Sequence, residues 1–141
     1  MSARSFLDTN VLVYTDDHDC PEKQRRALQI VADCRRQGNG VVSTQILEEY
    51  FVTATRRLGV AADLAARKTS IFGRLHLVTP GLDDILAAVD LHRLHGLSFW
   101  DALVVRSALA SGCVRLLTEH LQHGRRFDRL EIVNPFTSDR L

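Results

Sequence analysis

Ser5-Phe6-Leu7-Asp8-Thr9-Asn10-Val11-Leu12 carries the decisive reading. Residues 4–7 have the pattern of a short buried strand, Asp8 ends it, and residues 10–15 continue as a helical turn. A carboxylate at the exit of a buried strand is costly to desolvate unless something positive meets it. Three more acid-bearing stretches stand where an apolar segment starts or stops: Thr44-Gln45-Ile46-Leu47-Glu48-Glu49, Ser98-Phe99-Trp100-Asp101-Ala102 and Leu117-Thr118-Glu119-His120. Lysine occurs only at 23 and 68, and no arginine adjoins any of these acids in sequence. A divalent cation is therefore a candidate for the missing positive charge.

Outward from that stretch, strand and helix patterns alternate. Pro21 suits the first turn of a helix, with Ala27, Leu28, Val31 and Cys34 as its apolar stripe and Gly38-Asn39-Gly40 as its stop. Residues 41–43 form a second strand, and Ser43 or Thr44 caps a helix carrying Leu47, Tyr50, Phe51, Ala54 and Leu58, ended by Gly59. Residues 61–72 are a helix with Leu64, Ala65, Lys68 and Ile71 roughly in line, and residues 75–78 a strand closed by Pro80. Leu82, Ile85, Leu86 and Val89 mark an amphipathic helix that stops at Gly96. Residues 101–111 are apolar nearly all round, which predicts a central, buried helix. Residues 116–118 and 130–133 are the last strands. The alternation implies an α/β fold with a mainly parallel sheet and helices on both faces. Ligands of such sheets bind beyond the carboxyl ends of the strands. Asp8, Glu49, Asp101 and Glu119 all fall near strand or helix ends, so they can meet on one edge.

The 141 residues suit a single domain spanning 1–141. No apolar run reaches the ~20 residues of a membrane span, and no basic-then-apolar leader is visible. Cys20, Cys34 and Cys113 are an odd, widely spaced set, which argues against a disulfide framework or zinc knuckle and for a reduced, cytoplasmic setting. A net charge of +1 supplies no strong field toward nucleic acid. Arginine, which makes up nearly all of the basic residues, suits bidentate phosphate contacts.

Oxygen ligands from Asp8, Glu49 and Asp101 suit a hard cation, Mg²⁺ or Mn²⁺. Such an ion activates water and neutralises charge on a phosphodiester. Asn10 and Thr118 would orient the acids or contact phosphate. Each acid also has a plainer reading. Asp8 fits an Asx-turn or helix cap, Ser98-x-x-Asp101 a capping box, Glu48 a solvated helix face and Glu119 a loop. His92 with His95, and His120 with His123, stand at i, i+3, but neither pair has the further ligands zinc needs.

The ordered set Phe6-Leu7-Asp8-Thr9-Asn10-Val11-Leu12, Ser43-Thr44-Gln45-Ile46-Leu47-Glu48-Glu49-Tyr50, Leu97-Ser98-Phe99-Trp100-Asp101-Ala102-Leu103 and Leu117-Thr118-Glu119-His120-Leu121, followed by Ile132-Val133-Asn134-Pro135-Phe136, resembles the PIN-domain family. Within it the chain is similar to the VapC-type toxins of bacterial toxin–antitoxin pairs. The resemblance implies a PIN-like three-layer α/β/α sandwich and Mg²⁺- or Mn²⁺-dependent endoribonuclease activity on a structured RNA such as tRNA or rRNA. It further implies a homodimer and a cognate antitoxin. By position, Asp8, Glu49 and Asp101 become the metal-site acids. The chain departs from the family pattern at His120, where the family reads Asp. A neutral imidazole is a poorer magnesium ligand than a carboxylate. The alternative is thus a module that binds RNA or antitoxin through a weakened site. An aspartyl-phosphate enzyme with Asp8 as nucleophile is disfavoured by Asn10, where such enzymes use an acid. Arg56, Arg57 and Arg67 are candidate RNA contacts, and Val60, Ala61 and Leu64 candidate lining of an antitoxin groove.

Overall fold

Among the described residues six short strands form, the first four separated by helices: β1 (Ser5–Leu7), β2 (Gly40–Ser43), β3 (His76–Val78), β4 (Arg115–Leu117), β5 (Arg126–Phe127) and β6 (Leu130–Val133). The helices are α1 (Thr9–Tyr14), α2 (Pro21–Gln37), α3 (Thr44–Arg56), α4 (Ala62–Phe72), α5 (Leu82–His95) and α6 (Phe99–Ala110). This computed structural model describes residues 3–137. The strands form one sheet in the order β3-β2-β1-β4-β6-β5. All pairings are parallel except that of β5 with β6. β1 sits in the middle, with Phe6 opposite Val41 on one side and Leu116 on the other.

The strand order explains where a site can form. The chain steps from β1 outward to β2 and β3, then returns past β1 to β4. That reversal opens a crevice beyond the carboxyl ends of β1 and β4. Asp8 follows β1 and Thr118 follows β4, so both stand at the crevice. By contact the helices form two groups, α1 with α2 and α3 and α3 with α4, and separately α5 with α6. Right-handed crossovers put these groups on opposite faces, giving three layers.

Burial follows the apolar runs. Phe6, Leu7, Val41, Leu116 and Ile132 are fully enclosed, and α6 buries Ala102, Leu103, Val104, Val105 and Ala108. Pro21 opens α2, and Gly38 closes it at φ 67°. A side chain at Gly40 would meet Cys34 Cβ at 2.7 Å, so α2 packs tightly over the start of β2.

Three expectations are corrected. The α2 stripe uses Ile30 beside Ala27, Val31 and Cys34, while Leu28 faces outward. The α5 stripe of Leu82, Ile85, Leu86 and Val89 also faces outward, and the helix rests on the core through Ala88 and Leu91 instead. The two-residue β5 was not expected, because a hairpin edge this short leaves no periodicity to read. Among the described residues no helix is long and apolar enough to cross a membrane.

Candidate active site

Asp8 caps α1 as the local sequence suggested. Its Oδ1 accepts from the Thr9 N–H at 2.8 Å. The other oxygen accepts from the buried Thr118 hydroxyl at 2.8 Å, and the Asn10 amide lies at 3.5 Å. Thr118 Oγ1 in turn accepts from Asn10 at 3.3 Å and from the His120 N–H at 3.0 Å, while Asn10 Oδ1 takes the Glu119 N–H at 3.1 Å. These bonds tie the β1 exit to the β4 exit and hold one carboxylate, 8% exposed, at the strand reversal.

Glu49 comes from the second turn of α3, a helix started by Ser43, whose Oγ accepts from the Ile46 N–H. Gln45 donates to Glu49 Oε1 at 2.8 Å, and Thr9 donates to Oε2 at 3.3 Å. Asp101 lies in the first turn of α6, where Ser98 Oγ accepts its N–H at 3.1 Å. Its carboxylate turns to His120, whose Nε2 donates at 3.2 Å. Capping and site geometry coexist in both Asp8 and Asp101.

All three carboxylates line one cleft of about 450 Å³. Burial lifts the Asp8 carboxyl above the usual carboxylate range, opposed by its bonds to Thr118 and Thr9 and reinforced by the Asp101 charge. Burial likewise lifts Glu49, against its bond to Gln45 and with added repulsion from Asp8 and Asp101. Among the described residues no lysine or arginine pairs with any of the three. Nor do three His, Cys, Asp or Glu side chains form a ready-made metal cage there. Gln45 adds an orphan: both its N–H groups are committed, to Glu49 and to the Trp100 carbonyl, and its buried Oε1 has no partner. Magnesium takes only one or two carboxylates directly and keeps several waters. Three carboxylates on one cleft without a closed cage suit that mode of binding.

Glu119 stands at the rim of the cleft but has its own cation. Its oxygens accept from Lys23 Nζ and from the Tyr14 hydroxyl, each at 2.5 Å. Burial would raise its carboxyl, but the bonds to Lys23 and Tyr14 prevail and hold it below the ordinary value. The positive charge absent from its neighbourhood in sequence arrives from α2.

Sequence reasoning overlooked a polar stripe on α3. Gln45, Glu49, Thr53 and Arg57 recur every fourth residue, and all four line the cleft. That spacing is legible as one helix face. It selects Arg57 from the three candidate arginines, since Arg56 and Arg67 do not line the cleft. Arg57 lies about 12 Å along the helix axis from Glu49. Trp100, 63% exposed, forms another wall. His92 and His95 are exposed, as expected. His123 accepts the Asn134 N–H at 2.9 Å.

The family model for the PIN domain matches residues 5–132. The chain belongs to the PIN-domain family. No curated protein matches this PIN domain in sequence. Solved structures share its fold at low identity. A toxin–antitoxin complex from Klebsiella pneumoniae superposes with a TM-score of 0.69 at 18% identity, over 93% of this chain and 97% of that one. The VapBC2 complex of Rickettsia felis bound to a promoter DNA fragment gives 0.60 at 18% identity, over 91% and 96%. VapC20 of Mycobacterium tuberculosis, a toxin cleaving the sarcin–ricin loop, gives 0.59 at 15% identity, over 79% and 86%.

Proposed function

We propose that this PIN domain, as one domain over residues 1–141, is a divalent-metal-dependent endoribonuclease and the toxin of a toxin–antitoxin pair. The observation that carries the reading is the meeting of Asp8, Glu49 and Asp101 in one cleft, with no ion pair from a lysine or arginine to any of them among the described residues. Asp8 and Asp101 would hold Mg²⁺ or Mn²⁺, with Glu49 bearing on the ion or its waters. A bound ion supplies charge neutralisation at the phosphodiester and makes water more acidic. Thr118 and Asn10 keep the Asp8 carboxylate aimed into the cleft, and Gln45 does the same for Glu49. Arg57 is positioned to take a phosphate further along the strand. Glu119, held by Lys23, fixes the loop that carries His120.

The likeness to toxins and toxin–antitoxin complexes supports an RNA substrate, of the tRNA or rRNA kind, and a protein antitoxin. Leu64 and Ala61 are exposed beside the partly buried Val60, which suits an antitoxin groove at the start of α4. The outward stripe of Leu82, Leu86 and Val89 on α5 supports a homodimer, which Leu86→Glu would dissociate in sedimentation runs. Three free cysteines suit a reducing cytoplasm. Incubating structured RNA with the protein in Mg²⁺ or Mn²⁺ tests the activity. Cleavage that stops with chelator and in Asp8→Asn or Asp101→Asn supports it; cleavage that survives all three overturns it.

The contact from His120 to Asp101 favours one second reading, a binding module whose metal site is weakened. Brisk cleavage by the unaltered protein excludes that reading.

A further inference from the structure

Beside the acid cleft lies a second cavity of about 530 Å³. The two share Gln45, Glu49 and Trp100 as common walls. Pro80, Ile85 and Leu103 make the second cavity mainly apolar, with Thr44 and Glu48 at its edge. No lysine, arginine or histidine is among its described lining residues. A phosphate would find no positive group here and two glutamates to repel it. A flat, uncharged group that donates hydrogen bonds fits far better.

Trp100 is held as a platform. Its indole sits edge-on against Phe99, with centroids 5.1 Å apart and planes at 77°. Its backbone carbonyl accepts from Gln45 at 3.2 Å. The ring thus has an edge contact and a tethered backbone, and it stays 63% exposed. It is also the residue next to Asp101, so a group stacked on it lies one short step from the acids. Base–aromatic stacking is the main sequence-tolerant term in single-strand recognition. A carboxylate at the cavity edge adds discrimination, because it accepts from amino groups and is repelled by carbonyls.

We propose that this second cavity is a nucleobase subsite in which Trp100 stacks an unpaired base flanking the scissile phosphate and Glu48 accepts from its amino group. It rests on the nuclease reading, and it assigns base preference to residues outside the metal-site acids. Adenine, cytosine and guanine offer an amino group; uracil offers two carbonyls around a single N–H. The subsite therefore favours the first three over uracil.

Trp100 is the sole tryptophan, so its emission reports on the wall that the two cavities share, and an abasic chain separates base stacking from phosphate binding in the acid cleft. The test adds short single-stranded oligoadenylate, oligocytidylate, oligouridylate and an abasic ribose-phosphate chain of equal length to the full-length Asp8→Asn protein. Expected is saturable quenching by the first two, weaker quenching by oligouridylate and none by the abasic chain. In fluorescence polarisation with labelled oligoadenylate, Trp100→Ala should weaken binding roughly ten-fold or more. Trp100→Phe should restore much of it, and Glu48→Gln should flatten the preference over uracil. Equal quenching by the abasic chain, or unchanged binding in Trp100→Ala, overturns the subsite. So does an emission shift with protein concentration alone, which would assign the cavity to a second copy of the chain. Metal-dependent cleavage by the unaltered protein is measured in parallel. Cleavage without base-dependent quenching removes the subsite and spares the nuclease. Base-dependent quenching without cleavage removes the nuclease and leaves the subsite as a base-binding cavity.

Discussion

Two groups of acids, one member buried and the rest half-buried, differ in one respect. Asp16 accepts from the Tyr50 hydroxyl at 2.6 Å and forms an ion pair with Lys68, while Glu119 has Tyr14 and Lys23. Each acid has one tyrosine and one of the only two lysines in the chain. Asp8, Glu49 and Asp101 have hydroxyls, amides and one imidazole, but no lysine or arginine among the described residues. The paired acids join α1 to its neighbours and stabilise the fold. The other acids repel one another, and on the function proposed above their charge is left for a bound cation. The protein's two lysines make the division visible: one pairs with Asp16 and the other with Glu119, and neither with an acid of the other group.

Breaking this contrast has graded consequences. The largest belongs to the cleft. Asp8→Asn, Glu49→Gln or Asp101→Asn should each lower metal-dependent RNA cleavage about 100-fold or more, with circular dichroism unchanged. Next comes the paired group. Lys68→Met strands Asp16 and its tyrosine partner, and chemical denaturation should show a loss of about 2 kcal/mol. Third, the contrast should reverse in stability. Asp8→Asn removes a buried, mutually repelling charge, so the metal-free protein should gain about 1 kcal/mol at neutral pH while losing function. A loss of stability in that variant would show that the cleft acids serve the fold after all.

The pH dependence sharpens the same comparison with smaller effects. Glu119 has a lowered carboxyl pKa, so its contribution is present above the unfolded value and lost as pH falls through the folded one. Asp8 and Glu49 have raised values, so their burden lifts as pH falls through their folded pKa toward the unfolded one. Thermal melts across that acidic range should therefore lose an acid-side decline in Glu119→Gln and lose an acid-side gain in Asp8→Asn. The smallest effect is at the border of the two groups. His120→Asp should tighten Mg²⁺ binding several-fold in calorimetry, since a carboxylate outranks a neutral imidazole for that ion.

Much of the site was readable because the acids sit at element boundaries. Asp8 after the strand Ser5-Phe6-Leu7, Ser98 three residues before Asp101 and Ser43 before α3 are local signals, and each cap forms as expected. Partners were not readable. Nothing near Glu119 in the chain announces Lys23, and Gln45, which reaches Glu49 one turn along α3, meets the Trp100 carbonyl only when α6 packs beside it. Amphipathic spacing identified α5 but not the direction of its stripe, because period alone tells that one face is apolar and not that the core lies against it.

Local pattern alone determined the alternation of strands and helices, the buried strand before Asp8 and the stretches that carry the acids. Those follow from chain stiffness, capping and apolar spacing, which act over a few residues. Only the tertiary structure decided which acids would be neutralised by lysine and which would share a cleft. That choice depends on strand order: the return of the chain past β1 sets the exits of β1 and β4 side by side, and no short-range force can specify it.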